Sequence, residues 1–239
     1  TIRLGTSTIT DDKESEFLET AEPAHVAKIT PEQIRAAIEN LTGEIMQVPS
    51  SVSAIKVDGQ RAYAKVRGGD QVKLAARPVT ISRFEITGTP KLVTEGELTF
   101  IDFDAIIDCS SGTYIRALAR DLGRALDVGG HLTALHRTRV GHYTIDQAQN
   151  LDNLLREQSP DALQLLPIEQ AAAQQFDLRV LTDQEVIDIR HGKRLAHAGE
   201  GAEVFAGVDS SKQLIAMLER SGSQVKSVVV FANNPEDEK

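Results

Sequence analysis

Residues 98–123 read LTFIDFDAIIDCSSGTYIRALARDLG and contain two kinds of regular structure in direct succession. The first twelve, up to Cys109, are rich in Ile, Phe and Thr, as β-strands are. After Ser110, apolar residues recur at steps of three and four, as on one face of a helix, with Thr113 as a plausible cap. The stretch therefore predicts an apolar core strand that leads into an amphipathic helix, which Gly129-Gly130 ends.

The flanking sequence predicts further strands at residues 1–5, 51–57 and 78–86, and a helix from Thr30 to about residue 41. Asp58-Gly59 suits a tight hairpin turn, because both residue types tolerate positive φ. After a polar boundary at residues 146–167, a helix over 182–192 and strands at 204–208, 213–218 and 225–231 form a second unit. We therefore expect domains at 1–160 and 165–232, followed by an acidic tail at 233–239.

The composition is that of an ordinary globular protein, with 41% hydrophobic and 26% charged residues. No apolar run approaches the roughly 18 residues of a membrane span, and the first residues do not resemble a signal peptide, so a cytoplasmic location is expected. The single cysteine, Cys109, lies in an apolar strand and is interpreted as a small core residue, with a reactive thiol as the alternative. No motif indicates a metal ion or a nucleotide cofactor, so none is expected.

The net charge of −9 taken alone argues against nucleic acid binding, but the charge is unevenly distributed. Six Lys or Arg and a single acid, Asp70, lie between Gly59 and Arg83, and we call residues 59–83 the basic segment. Such a segment is either a solvated face or a contact surface for a polyanion. The pattern alone leaves both interpretations open.

Arg116 lies in the first turn of the predicted helix, where free backbone N–H groups favour an anion and disfavour a cation. An acidic partner for Arg116 is therefore expected. The alternative is that Arg116, Arg120 and Arg124, at a spacing of four, form one solvated stripe, with Tyr114 a half-buried aromatic residue. Spacing alone does not exclude this alternative.

Several blocks resemble one family, the TruB-type tRNA pseudouridine(55) synthases, especially those of actinobacteria. SGTYIRALARDLG at 111–123 resembles the arginine-bearing motif of the family, and the similarity continues through GHLTALHR to Val140. PSSVSAIKVDGQRAY at 49–63 resembles a second block, and IRLG at 2–5 with TDD at 10–12 resembles the strand and turn before it. Residues 181–193 and the strand to 231 resemble the small PUA-like C-terminal domain. The blocks are collinear along nearly the whole chain, so together they are more specific than any single motif.

The resemblance implies an α+β fold: a mixed, mostly antiparallel sheet with flanking helices, here N-terminally incomplete, plus a small β-rich PUA-like domain. It also implies an isomerase that converts the T-loop uridine at position 55 of tRNA to pseudouridine, without a cofactor. In this family an aspartate attacks the nucleoside and an arginine keeps that aspartate ionised and oriented. Arg116 matches that arginine by motif.

The same resemblance implies contacts with the RNA. Tyr114 would touch the flipped-out uridine, and Leu135 would form part of the apolar surface around it. The cluster at residues 190–194 would either meet the acceptor stem or cap a helix with positive charge, and both remain open. tRNA is the implied partner, without a membrane or an obligatory protein partner. The residues implied to bind the T-loop are Lys56, Arg61, Tyr63, Lys65, Arg67, Lys73 and Arg77.

The block that carries the nucleophilic aspartate in the family does not occur in these 239 residues. Asp70, Asp104, Asp108 and Asp121 are possible substitutes, but none has matching surroundings, and Asp121 is better interpreted as a partner of Arg120 or Arg124. The chain as given is therefore expected to be inactive, and residues 1–5 are expected at or near an exposed sheet edge, with reduced stability.

Two other classes of function remain open from the sequence. One is a non-catalytic tRNA-binding or RNA-folding module that uses the same surface. The other is an α/β interaction domain without an RNA role, which predicts no salt-dependent binding of tRNA.

Overall fold

The computed structural model describes residues 1–50, 56–57, 60–61, 74–156, 163–196 and 201–231, with the backbone alone at 56–57 and 60–61. Contacts between Cα atoms divide the chain into two compact units, Thr1–His136 and Arg137–Lys239. In the first unit the elements follow in the order β1 (Ile2–Leu4), β2 (Thr6–Thr8), β3 (Phe17–Thr20), α1 (Pro23–Val26), α2 (Pro31–Glu39), β4 (Gly43–Gln47), β5 (Lys56–Val57), β6 (Gln60–Arg61), β7 (Arg77–Glu95), β8 (Leu98–Cys109), α3 (Ile115–Ala125) and β9 (Gly130–Leu132).

The central sheet of the first unit has the strand order β4-β7-β8-β1-β9, and every neighbouring pair is antiparallel. Helices α2 and α3 contribute apolar side chains to the core that this sheet shares, as their apolar periodicity predicted. Leu118 and Leu122 of α3 are fully buried in the same cluster as Ile34 of α2 and Ile81 of β7. The α+β class expected from the sequence is confirmed.

Strand β1 is not itself the end strand of the sheet, but among the described residues only the three-residue β9 lies beyond it, which agrees with a position at or near an edge for residues 1–5. Ile2 pairs with Phe103 of β8 on one side and with Leu132 of β9 on the other. Strand β9 was not predicted from the sequence. It is only three residues long, which is too short for a strand pattern to be recognised, and it follows a helix. The expected reduction in stability stays a prediction.

Two local predictions for α3 and β7 need correction. Thr113 does not cap α3; the N-cap residue is Tyr114, which makes no capping hydrogen bond with its side chain. Strand β7 extends to Glu95, well beyond the predicted end at residue 86. The register shift between Thr87 and Lys91 shows a bulge around Gly88 and Pro90, and a bulge accommodates both residue types within a strand.

Other predicted elements are confirmed. Thr30 caps α2 by a complete capping box with Gln33. Strands β5 and β6 pair antiparallel as a hairpin requires, while residues 51–55 of the predicted strand and the predicted turn residues Asp58 and Gly59 lie outside the described residues. Cys109, however, is exposed at the end of β8, so its interpretation as a core residue is wrong.

The second unit contains a five-stranded sheet of order β12 (Leu178–Val180), β14 (Val204–Val208), β15 (Leu214–Ser221), β16 (Gln224–Val230) and β13 (Leu195–Ala196). In it β12 pairs parallel with β14 and the other pairs are antiparallel. Thr182 and Glu185 form a capping box at the start of α6 (Asp183–Arg190), where the sequence predicted a helix. The predicted acidic tail lies outside the described residues, among which no helix is long and apolar enough to cross a membrane. The elements are β10 (Arg139–Val140), β11 (Tyr143–Thr144), a 3₁₀ turn (Ile145–Gln147), α4 (Leu151–Arg156), α5 (Ile168–Gln175), β12 (Leu178–Val180), α6 (Asp183–Arg190), β13 (Leu195–Ala196), β14 (Val204–Val208), β15 (Leu214–Ser221) and β16 (Gln224–Val230).

Candidate active site at the start of helix α3

Arg116 has the acidic partner that its position in the first turn requires. Its Nη2 atom lies 2.7 Å from Oδ2 of Asp12, and the two side chains are 40% and 17% exposed. A charge-assisted pair at this distance fixes the direction of the guanidinium and offsets the unfavourable helix dipole. Because a guanidinium has five N–H donors, and this one is partly exposed, it retains donors for a second carboxylate.

A tight turn holds Asp12 in position. The hydroxyl of Thr8 accepts a hydrogen bond from the Asp12 amide and donates one to its carbonyl, both at 2.9 Å. Asp11, the preceding residue, has φ of 57°, a left-handed conformation that aspartate adopts more readily than most residues. The turn is tied to β9, because the Leu132 amide donates to the Asp11 carbonyl and the Leu132 carbonyl accepts from the Lys13 amide.

Sequence patterns do not single out Asp12 as the partner of Arg116, because the two are far apart in the chain. The available signals were the need of Arg116 for an anion and the TDD block at residues 10–12, which is part of the family resemblance. Tertiary structure brings these two signals together, since β9 lies beside α3 in the sequence and beside the Asp12 turn in space.

Arg120 shows that the three arginines of α3 are not one solvated stripe. Its guanidinium donates to the carbonyl of Val48 at 2.7 Å, contacts Asp121 at 2.9 Å and lies 3.4 Å from Asp11. Burial raises the pKa of the Asp11 carboxyl, and the positive charge of Arg120 opposes that increase. Only Arg124 is well exposed among the three, so the stripe interpretation fails for Arg120. The expected pairing of Asp121 with Arg120 and Arg124 is confirmed.

Tyr114 is half-buried at the N-cap of α3, and its backbone is held by a side chain from β4. The Tyr114 amide donates to Oε1 of Gln47 at 2.8 Å, and Nε2 of Gln47 donates to the Tyr114 carbonyl at 3.1 Å. Gln47 is only 2% exposed, and these two bonds satisfy both polar ends of its buried amide. No motif in the sequence identified Gln47.

Leu135 lies three residues after the end of β9, and its side chain is 52% exposed. Single exposed leucines are common on protein surfaces, so exposure alone does not test the role that the resemblance implies. Of the residues implied to bind RNA, Arg77 is exposed at the start of β7. Lys56 and Arg61 are described only as backbone, and Tyr63, Lys65, Arg67 and Lys73 lie outside the described residues.

The cluster at residues 190–194 is partly engaged with its own helix. Nζ of Lys193 lies 2.8 Å from Oδ1 of Asp188, and this contact lowers the pKa of the Asp188 carboxyl. The His191 ring lies 2.9 Å from the Ile187 carbonyl, and Gly192 ends the helix with φ of 74°. These contacts favour the interpretation that the cluster caps α6.

A groove of about 600 Å³ in the first unit lies at the other end of α3 from Arg116. Its walls include His25, Lys28, Asn40 and Asp127, and none of the residues around Arg116 lines it. We therefore place the candidate site at the start of α3 and not in this groove. Within the described ranges, no group of three or more His, Cys, Asp or Glu side chains could hold a metal ion.

The fold and the site together define a two-unit α+β protein with an arginine–aspartate pair at the junction of a sheet strand and a helix. Three family models match consecutive parts of the chain. TruB family pseudouridylate synthase (N terminal domain) matches residues 1–115, tRNA pseudouridylate synthase B C-terminal domain matches 116–173, and tRNA Pseudouridine synthase II, C terminal, matches 176–232.

Individual relatives agree with the family models. A protein named tRNA pseudouridine synthase B from Arthrobacter sp. (strain FB24) is 49% identical over 244 residues, covering 99% of this chain and 76% of that protein. One of the same name from Mycobacteroides abscessus is 52% identical over 232 residues, covering 97% and 74%. The chain belongs to the TruB family of pseudouridylate synthases.

Solved structures support the fold at much lower sequence identity. The structure of an H/ACA RNP bound to a substrate RNA containing 2'-deoxyuridine superimposes with a TM-score of 0.59 at 19% identity. A Cbf5-Nop10-Gar1 complex gives a TM-score of 0.55 at 18% identity. The chain spans 65% of the length of each of these two structural neighbours.

Proposed function

We propose that this protein isomerises the T-loop uridine at position 55 of tRNA to pseudouridine, in the cytoplasm and without a cofactor. The observation that carries the proposal is the Arg116–Asp12 pair, located in the motif by which the chain resembles the TruB family. The names of the relatives, tRNA pseudouridine synthase B, support tRNA as the substrate.

In the proposed reaction the glycosidic bond of the uridine is cut, the base turns, and it is rejoined to the ribose through carbon. The nucleophile is an aspartate, which must be ionised beside the nucleoside. Arg116 would keep it ionised, because a neighbouring guanidinium lowers the pKa of a carboxyl group. Asp12 would hold Arg116 from the other side, so that the guanidinium points in a fixed direction before the substrate arrives.

The uridine must leave the base stack to reach this site. Tyr114, adjacent to the helix turn that carries Arg116, is proposed to contact the flipped base, and the exposed Leu135 to form part of the apolar surface around it. The T-loop would be bound by the basic segment together with Lys56, and residues 165–232 would act as a small PUA-like RNA-binding domain. An obligatory protein partner is not part of this proposal.

The 239 residues contain no block that resembles the family's nucleophilic aspartate motif, so we propose that this polypeptide alone binds tRNA without converting it. The test compares residues 1–239 with the same chain preceded by a segment that carries the aspartate block. Both are incubated with a position-55 uridine transcript, and pseudouridine is measured by mass spectrometry. Conversion is expected only with the longer chain.

The other outcomes would contradict the proposed inactivity, the proposed reaction or both. Conversion by residues 1–239 would show that the nucleophile lies within them and would contradict the proposed inactivity. A longer chain that folds and binds tRNA but does not convert it would contradict the proposed reaction and favour a non-catalytic RNA-binding or RNA-folding module. If neither chain binds tRNA, both proposals are wrong.

Charge reversal in the basic segment tests the RNA-binding role. Replacing Arg61, Lys65 and Arg67 with glutamate should weaken tRNA binding by about 10-fold or more at low salt, because each phosphate contact contributes counterion release. The slope of log Kd against log salt should also become shallower. The control reverses Lys28, Arg35 and Lys91, which are exposed, lie outside both the basic segment and the proposed C-terminal RNA-binding domain, and change the net charge equally. Equal affinities for the two triple variants would remove the segment from the proposed interface.

A further inference from the structure

The start of α3 lacks the usual means of fixing a helix N-terminus. Its N-cap residue, Tyr114, makes no capping hydrogen bond with its side chain, and the first turn contains no acidic residue. A helix start without a side-chain cap normally frays, because its first backbone N–H groups have no partner within the helix. The first turn also carries Arg116, whose positive charge is unfavourable at a helix start and is offset by Asp12.

Gln47 replaces the missing cap from another part of the chain. It is the last residue of β4, where the sheet register places it opposite Arg77. Its amide binds both the N–H and the C=O of Tyr114, at 2.8 and 3.1 Å, in the manner of a neighbouring strand. Because the N–H and the C=O of Tyr114 belong to successive peptide units, the two bonds together fix the position and the orientation of the Tyr114 backbone, which a single hydrogen bond does not.

A second connection joins the same two segments one turn further along the helix. Arg120 donates to the carbonyl of Val48 at 2.7 Å and lies 3.4 Å from Asp11. Asp11 precedes Asp12 in the turn that pairs with Arg116. The end of β4, the start of α3 and the Asp12 turn are thus linked around Arg116 by polar contacts from three separate parts of the chain.

We infer that Gln47 is a positioning residue for catalysis. It fixes the backbone of Tyr114 and thereby the direction of the Tyr114 ring and of the Arg116 guanidinium. This inference rests on the proposed function for its catalytic part. It goes beyond the family's arginine motif, because Gln47 lies on β4, outside that motif, and acts through the backbone of Tyr114. A displacement of about 1 Å at a catalytic group can reduce a rate by about 100-fold, so the effect should be large.

The first experiment uses the 239-residue chain and does not depend on activity. Gln47→Met keeps the length of the side chain but removes both hydrogen bonds to Tyr114. Amide hydrogen exchange at Tyr114 should then accelerate by about 10-fold or more, because its acceptor is lost. The amide of Leu122, in the middle of α3, should change by less than about 3-fold. Unchanged exchange at Tyr114 overturns the inference, whatever the protein catalyses.

The second experiment uses the longer chain that carries the aspartate block, in single-turnover reactions at saturating tRNA. Gln47→Met should lower the rate by about 100-fold at every pH, with tRNA affinity within about 3-fold of the parent. Gln47→Glu should be equally slow near pH 8, because a carboxylate cannot donate to the Tyr114 carbonyl. As the pH falls towards about 5.5, the glutamate protonates, since burial raises the pKa of a carboxyl, and a neutral acid can again donate and accept.

The ratio of the Gln47→Glu rate to the parent rate should therefore rise by at least about 10-fold from pH 8 to pH 5.5. Gln164→Glu, which places the same charge on an exposed position outside the proposed catalytic and RNA-binding residues, should keep a constant ratio near one. A purely structural role would change melting temperatures but not give this acid rescue. A flat ratio for Gln47→Glu overturns the positioning role. If the parent chain itself makes no pseudouridine, the proposed function fails, and the exchange at Tyr114 alone decides whether Gln47 holds the helix start.

Discussion

Replacing Arg116 with alanine, in a chain that carries the aspartate block, should reduce pseudouridine formation by about 10³-fold or more. No other group replaces the guanidinium at this position. It stabilises the negative charge of the nucleophilic aspartate, which must be ionised beside the nucleoside. Removing it also leaves the Asp12 carboxylate, which is 17% exposed, without its partner at 2.7 Å. The measurement is the single-turnover rate of conversion at position 55 with enzyme in excess over tRNA.

Affinity for tRNA should change by less than about 3-fold in the same variant, because the proposed RNA contacts come from the basic segment. Arg116→Lys keeps the positive charge but lacks the planar fork of donors, so its rate should lie between those of the parent and the alanine variant. Asp12→Asn keeps the shape of the Asp12 side chain but removes its charge. This variant should also slow the reaction, although Arg116 is still present. Loss of tRNA binding with an unchanged rate would refute the catalytic role of Arg116.

Replacing Gly123 with alanine should destabilise the first unit by about 3 kcal/mol or more, an effect at the upper end for overpacking. A Cβ atom at this position of α3 would lie 2.1 Å from the carbonyl carbon of Gly129 and 2.2 Å from the nitrogen of Gly130. Both are backbone atoms at the start of β9, so no side chain can move aside. For a chain of this size, the loss corresponds to a melting temperature lower by about 10 °C.

The control is Gly96→Ala in the turn between β7 and β8. No atom lies within 4 Å of the added Cβ there, but the residue has φ of 61°, so the cost should be about 1 kcal/mol from the backbone alone. Thermal unfolding followed by circular dichroism compares the two variants. Because β9 also anchors the Asp12 turn through Leu132, Gly123→Ala should lower activity even below its melting temperature. Equal melting temperatures for the two variants would show that α3 and β9 can separate at low cost.

The long strand β8 and the amphipathic helix α3 could be predicted because both depend on the side chains of neighbouring residues. Residue types identified β8 and three-to-four spacing identified α2, while capping boxes at Thr30 and Thr182 mark the starts of α2 and α6. The bulge that carries β7 past Pro90 was missed, because whether a proline breaks a strand depends on the strand opposite it. The short strand β9 was missed for a similar reason, since pairing on β1 defines it and its own three residues do not.

For the site, the sequence by itself determined that Arg116 stands at a helix start where it requires an anion, and that it lies in a motif resembling the TruB family. Both conclusions follow from residues within one turn of the helix or within one contiguous motif. Only the tertiary structure decided that the anion is Asp12 and that Gln47 holds the peptide of Tyr114. These partners approach through the pairing of β9 with β1 and the placement of β4 beside the helix start, and such long-range contacts leave no periodic pattern in the chain.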